Sequence, residues 1–271
     1  MAVPVGAQQT FTGATDQNWD QATSNWNPGP TFTNNDDAIF DTVGGTVDIT
    51  EAGGITAGEI DVNSGASGLI VTGNDLTINN NVTVTGAATT ADIQANITGN
   101  ANADGDGQLT LSGTVGGTVA NSGTGTTTVT NTVDSVNNTA GTTIVGSGGT
   151  VTNATTVSNG TVQTQTGSTL NGLSTVTMGT LDIDGGDIAA VTNSGGTVEL
   201  GGGTVASLVQ NGTGMSTTVD GNTTVTALTD IDEGTLTVNS GQTLTATGGV
   251  DIAANGTLTV QANGIIAGGD V

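Results

Sequence analysis

The sequence predicts an all-β chain, a β-solenoid in which short strands stack coil upon coil. Three observations carry this. In Thr180–Ile183 and Thr197–Leu200 every second residue is apolar (Leu181 and Ile183; Val198 and Leu200), and those between are polar or acidic. That is the period-2 pattern of a strand with one buried face. Each run follows a glycine and begins with threonine, and the two glycines, Gly179 and Gly196, stand 17 residues apart, about one circuit of a small coil. Similar runs return at 44–49, 107–111, 149–151, 160–162, 234–238 and 256–260. Between the runs, Gly-Gly, Asn-Ser-Gly and Gly-Gly-Gly groups supply the positive φ that tight corners demand.

Composition narrows the function before any motif is considered. The chain has 271 residues, 46 of them Gly, and no Lys, Arg, His, Cys or Tyr; its 24 Asp and Glu give a formal charge of -24. Abundant Thr and Val are strand formers, and stacked coils bury such small side chains without a wide globular core, so an ordered solenoid is expected rather than disorder. Without cations the chain cannot neutralise phosphates, which argues against nucleic acid as a partner, and it offers no basic patch to anionic lipid. No apolar run is long enough for a membrane helix. The start, residues 1–9, lacks the basic region and apolar core of a signal peptide. The absence of Lys and Arg also removes trypsin-type cleavage sites, which suits an extracellular or cell-surface location.

Taken in order, residues 1–43 differ from the rest. Both Trp (Trp19, Trp26), all three Phe (Phe11, Phe32, Phe40) and all three Pro (Pro4, Pro28, Pro30) lie there. A repeat array needs its first coil covered, so this segment is expected to be a buried aromatic cap; a sugar-stacking platform of Trp19 and Trp26 is the alternative. From 44 to 271 the pattern predicts 11 or 12 coils of roughly 20 residues. The stretch 113–169, where Gly, Thr and Asn outnumber apolar residues, is expected to form the weakest coils because little apolar area is buried there. The last runs, within 234–266, alternate cleanly and carry no charged or proline-rich lid.

The run Asn18-Trp19-Asp20 to Asn25-Trp26, then Pro28, then Asp36-Asp37-Ala38-Ile39-Phe40-Asp41, resembles the N-terminal opening of autotransporter-like bacterial surface proteins. There an N-W…N-W…P…D-x-A-x-F segment leads into G-T-Φ-x-Φ repeats, as Gly45-Thr46-Val47-Asp48-Ile49 follows here. The resemblance implies a right-handed parallel β-helix displayed outside a bacterial cell. The chain departs from that family in having no C-terminal membrane barrel.

Candidate chemistry is confined to oxygen donors. Asn102, Asp104 and Asp106, followed by Gly107, follow the first half of a calcium loop, but position twelve is Gly113 instead of Glu. Asp182, Asp184 and Asp187 gather at a Gly-Gly corner; Asp36, Asp37 and Asp41 form a further group, as do Asp230, Asp232 and Glu233. Oxygen-only donors select Ca²⁺ or Mg²⁺, so a Ca²⁺ cofactor is the expectation for the first two groups, against a plain solvated acidic turn. Catalysis is not expected: nucleophile systems built on His or Cys are excluded, and a carboxylate pair would lack positioning cations.

The function expected is therefore that of an extracellular structural protein that assembles with itself head to tail into a filament, sheath or surface array. The interface is expected to join Trp19, Trp26, Phe32 and Phe40 at one end to Leu258, Val260, Ile265 and Ile266 at the other. The alternative is an adhesin stalk whose Asn and Thr ladders contact surface glycans.

Overall fold

The computed structural model describes residues 7–13, 16–29 and 31–271; Pro4 and Pro30 of the opening segment lie outside them. It is an all-β protein of stacked parallel coils, a β-solenoid of about 12 turns. Among the described residues the only helix is a single 3₁₀ turn, Ser64–Ala66. The chain divides into two compact units, Met1–Asp134 and Ser135–Val271.

In the first unit the opening segment is already part of the solenoid. Gln8–Phe11 pairs parallel with Asp37–Phe40, which pairs parallel with Ile60–Val62. Alternation puts one residue in two inside, and in-register stacking lines these up into columns. One column runs Ala38, Ile60, Val82, Ala103, Asn121, and its neighbour Phe40, Val62, Val84, Gly105. A second face stacks Val47, Val71, Ile93, Leu111 and Val129. A third links Ile55, Leu76, Ile97 and Val115. All of these except Gly105 are buried.

The second unit repeats the arrangement on three ladders. The first has inward columns Thr143, Val162, Leu181, Val198, Thr217, Leu236, Leu258 and Val145, Thr164, Ile183, Leu200, Val219, Val238, Val260. The second carries Val151, Leu170, Ile188, Val205, Val225 and Ala246. The third carries Val136, Thr155, Ser174, Val191, Leu208, Thr229 and Val250. Coil lengths vary, 17 residues from Leu181 to Val198 and 22 from Leu236 to Leu258, and the loops absorb the difference while the strands hold register.

Corners explain two of the glycines. Gly179 has φ +75°, and a side chain there would run into the Gly160 carbonyl of the coil before it. Gly172 packs its Cα against the Asn153 carbonyl, leaving no room for a methyl. Inward amides tie other corners: Asn138 Nδ2 donates to the Asn159 carbonyl and its Oδ1 accepts from Thr143 Oγ1, while Asn193 Nδ2 donates to the carbonyls of Gly196 and Ser216. The stretch thought weakest, 113–169, keeps this geometry by seating Thr127 and Thr143 in apolar columns.

Candidate functional site

The expected aromatic cap exists as an interior. Trp19 and Trp26 lie 5.4 Å apart between ring centroids, Trp26 and Phe32 4.7 Å, Phe11 and Trp26 5.1 Å, and Trp19 and Phe40 5.6 Å. All five rings are buried, Trp19 completely. Edge-on packing of this kind stabilises the cluster beyond the area it buries. The consequence corrects one expectation: Trp19, Trp26, Phe32 and Phe40 face one another inside the first unit, so they offer neither an assembly surface nor a sugar platform. The outer edge of Gln8–Phe11 is itself occupied at Thr10 and Phe11, by antiparallel pairing with Trp26–Asn27.

The opposite group of predicted interface residues is differently placed. Leu258, Val260 and Ile266 continue the inward columns of Leu236, Val238 and Leu244, and Ile265 lies beside Thr243 on the outer side. Among the described residues Val250–Val260 and Ile265–Gly268 pair with strands on one side only, Thr229–Val238 and Thr243–Ala246; on the other side Val250 N–H donates to the Asp270 carbonyl. Their apolar side chains are correspondingly uncovered, Val260 45 % and Ile265 52 % exposed. The straight part of that edge, 255–260, carries no charge.

The predicted metal residues separate into pairs. Asp104 and Asp106 border one open depression with Ser122 and Thr124. Asn102 is not part of it; its Nδ2 donates to the Asn80 carbonyl, and Asp106 Oδ1 accepts from the Gly86 amide. Asp182 and Asp184 are brought together by Gln163, whose Nε2 donates to Asp182 Oδ2 at 3.2 Å and to Asp184 Oδ2 at 2.7 Å. Asp187 lies on another ladder, between Thr169 and Thr204. Among the described residues no three Asp or Glu converge closely enough to hold a metal ion.

Register reveals acidic contacts that spacing along the chain hides. Asp182 is opposed directly to Glu199 on the next strand, and Asp230 to Asp251. Burial, then Asp184, Glu199 and Asp220, pushes Asp182 up to about 6 against the hydrogen bond from Gln163. Asp230 is raised by burial, Asp232 and Asp251. In the first unit burial, Glu59 and Asp37 push Asp61 up to about 6. Asp20 goes the other way: burial raises it, but the amides of Ala22 and Thr23 and the hydroxyls of Thr23 and Thr50 outweigh that and leave it lowered. The chain has no Lys, Arg or His to relieve the raised groups.

One outer column of the second unit carries hydroxyls. Thr142, Thr161, Thr180, Thr197, Ser216, Thr235 and Thr257 form one continuous outward column of the second unit. Comparison with protein-family models, curated proteins and solved structures finds no significant match. Among the described residues no helix is long and apolar enough to cross a membrane.

Proposed function

We propose that the chain is a non-catalytic structural β-solenoid of the bacterial cell exterior that associates with another copy of itself through the edge of Val250–Val260 and Ile265–Gly268. The observation that carries this is that, among the described residues, these strands beyond Val250 pair with a strand on one side only, with apolar Val260 and Ile265 exposed beside them. An open parallel edge is a template for a further strand. The pairing of Thr10 and Phe11 with Trp26–Asn27 leaves less free backbone at Gln8–Phe11 for a head-to-tail contact. Edge to edge, two copies can run antiparallel over 255–260 without setting carboxylates opposite one another, which makes a closed two-fold contact. The autotransporter-like opening, the cation-free composition and the solvent-facing hydroxyl columns support the surface location.

Sedimentation equilibrium on the full chain in high salt tests the reading. The wild type is expected to dimerise at micromolar concentration, and Val260→Glu with Ile265→Glu to remain monomeric with an unchanged circular dichroism spectrum. A wild type that stays monomeric, or a double variant that associates equally well, overturns it. The hydroxyl column of the second unit favours one other reading, a monomeric adhesin stalk contacting glycans, and a monomer that binds a glycan array would establish that instead.

A further inference from the structure

The side-chain amide of an asparagine is electrophilic at Cγ, and the nucleophile nearest to it along the chain is the backbone nitrogen of the next residue. Glycine in that position leaves the nitrogen unshielded. Asn-Gly pairs begin at residues 159, 171, 211, 255 and 263, and one of them is held in a reactive shape. Gly160 N–H donates to Asn159 Oδ1 at 2.9 Å. Since Cγ is bonded to that oxygen at about 1.2 Å, the nitrogen stands within about 4 Å of Cγ, close to the ~3–3.5 Å of a near-attack pair. Among the described residues no other Asn-Gly pair makes this contact. Gly264 N–H donates instead to the Gln261 carbonyl, and Gly172 and Gly256 stand inside the strands Thr169–Val176 and Val250–Val260.

Nothing competes for the two reacting groups. Among the described residues Gly160 N–H has no acceptor besides Asn159 Oδ1, and Asn159 Nδ2 donates to no protein group. Closing a ring between them therefore breaks no ladder bond, and exposed Asn159 can release ammonia directly to water. The rest of the corner is fixed. Asn138 Nδ2 donates to the Asn159 carbonyl at 2.7 Å, Thr180 N–H to the Gly160 carbonyl and Thr161 N–H to the Gly141 carbonyl, both at 2.9 Å. Such anchoring holds the two groups in register for attack. Asn131 supplies the contrast: its Oδ1 accepts from the next amide at 2.8 Å, but that residue is β-branched Thr132 and its own Nδ2 is tied to the Ser112 carbonyl.

We propose that Asn159 is a self-modifying site, converting in the folded protein to aspartyl and isoaspartyl forms. Gly160 N gives its proton to solvent hydroxide and its electron pair forms a bond to Asn159 Cγ. The Cγ–Nδ2 bond breaks, and Nδ2 takes a proton from water and leaves as ammonia. A water molecule then opens the cyclic imide at either carbonyl; nothing is oxidised or reduced. Opening at the backbone carbonyl routes the chain through Cβ and lengthens the corner by one atom. Asn138, completely buried, then loses the carbonyl it donates to, and an unpaired buried donor loosens the coils on either side.

The full folded chain, aged in mildly alkaline buffer and then cut at its acidic residues, is read by peptide mass spectrometry. Asn159 is expected to deamidate about tenfold faster than the other Asn-Gly sites, with Asn131 unchanged. In concentrated urea, where the corner no longer exists, the Asn-Gly rates should converge. An Asn159 that is no faster than the others when folded, or that keeps its lead in urea, overturns the proposal. Thermal melts read the consequence. Aged wild type should melt below fresh protein, whereas aged Asn159→Gln, whose longer exposed side chain does not close the same ring, should match its own fresh sample. Equal losses in wild type and variant, or conversion of Asn159 with no loss, would refute the loosening of the corner.

Discussion

Asp182→Asn should stabilise the C-terminal unit at neutral pH, although it removes a side chain that is hydrogen-bonded. Asp182 and Glu199 are opposed on neighbouring strands, Thr180–Ile183 and Thr197–Leu200, about 4.8 Å apart. Like charges so placed destabilise a ladder. Because the folded-state pKa is raised, the folded chain binds this proton more tightly than the unfolded chain does. The ionisation penalty is therefore absent below the unfolded value near 3.8, grows as the pH rises, and is complete above about 6. Moving the carboxyl from 3.8 to about 6 is worth at most ~3 kcal/mol, at ~1.36 kcal/mol per tenfold change. Asp182 is partly open to water, and screening reduces this to about 1 kcal/mol. Asn keeps an acceptor for Gln163 and carries no charge. Thermal melts followed by circular dichroism should show the variant melting roughly 3 °C above wild type at about pH 8, with most of the difference gone by about pH 4. Glu199→Gln should reproduce a smaller part of the effect, since burial and Asp184 remain. A variant that melts lower at pH 8, or one with the same offset at both pH values, would refute the reasoning.

Thr217 sits inside between Val198 and Leu236 with its hydroxyl buried and unpartnered; Thr217→Val keeps the shape and removes the orphan, so denaturant melts should show a gain of about 1 kcal/mol. Leu181 is fully buried between Val162 and Val198, and Leu181→Ala should cost ~2–5 kcal/mol in the same assay. Gly172→Ala should destabilise as well, because the new methyl meets the Asn153 carbonyl of the preceding coil and neither backbone can give way; a Tm equal to wild type would show that the corner relaxes. With no three carboxylates converging among the described residues, millimolar calcium followed by chelator should leave the melting temperature unchanged, and a calcium-dependent rise would reopen the depression beside Asp104 and Asp106.

The aromatic cluster shows where reading along the chain falls short. Five rings gathered within 11–40 announce a cap, yet only the packing reveals that each ring is spent on the others and none is left as a surface. The open strands at Val250–Val260 and Ile265–Gly268 were legible as clean alternation, since period 2 survives whatever the neighbouring coils do. The acidic groups were misleading for the opposite reason. Asp182, Asp184 and Asp187 are neighbours in sequence, but a corner sends Asp187 to a different ladder, while Glu199, a full coil away, becomes the direct partner of Asp182.

What the sequence determined by itself was local: strand, corner, and the parity that separates inside from outside, because these follow from the two-residue pleat and from glycine's freedom at positive φ. Only the tertiary structure decided which residues stack. That depends on coil lengths that vary by several residues and on loops that absorb the difference, so the placing of Thr217 in the core, of Asp182 against Glu199 and of Asp37 against Gln8 arises from contacts between residues 17 to 29 positions apart, which no local pattern encodes.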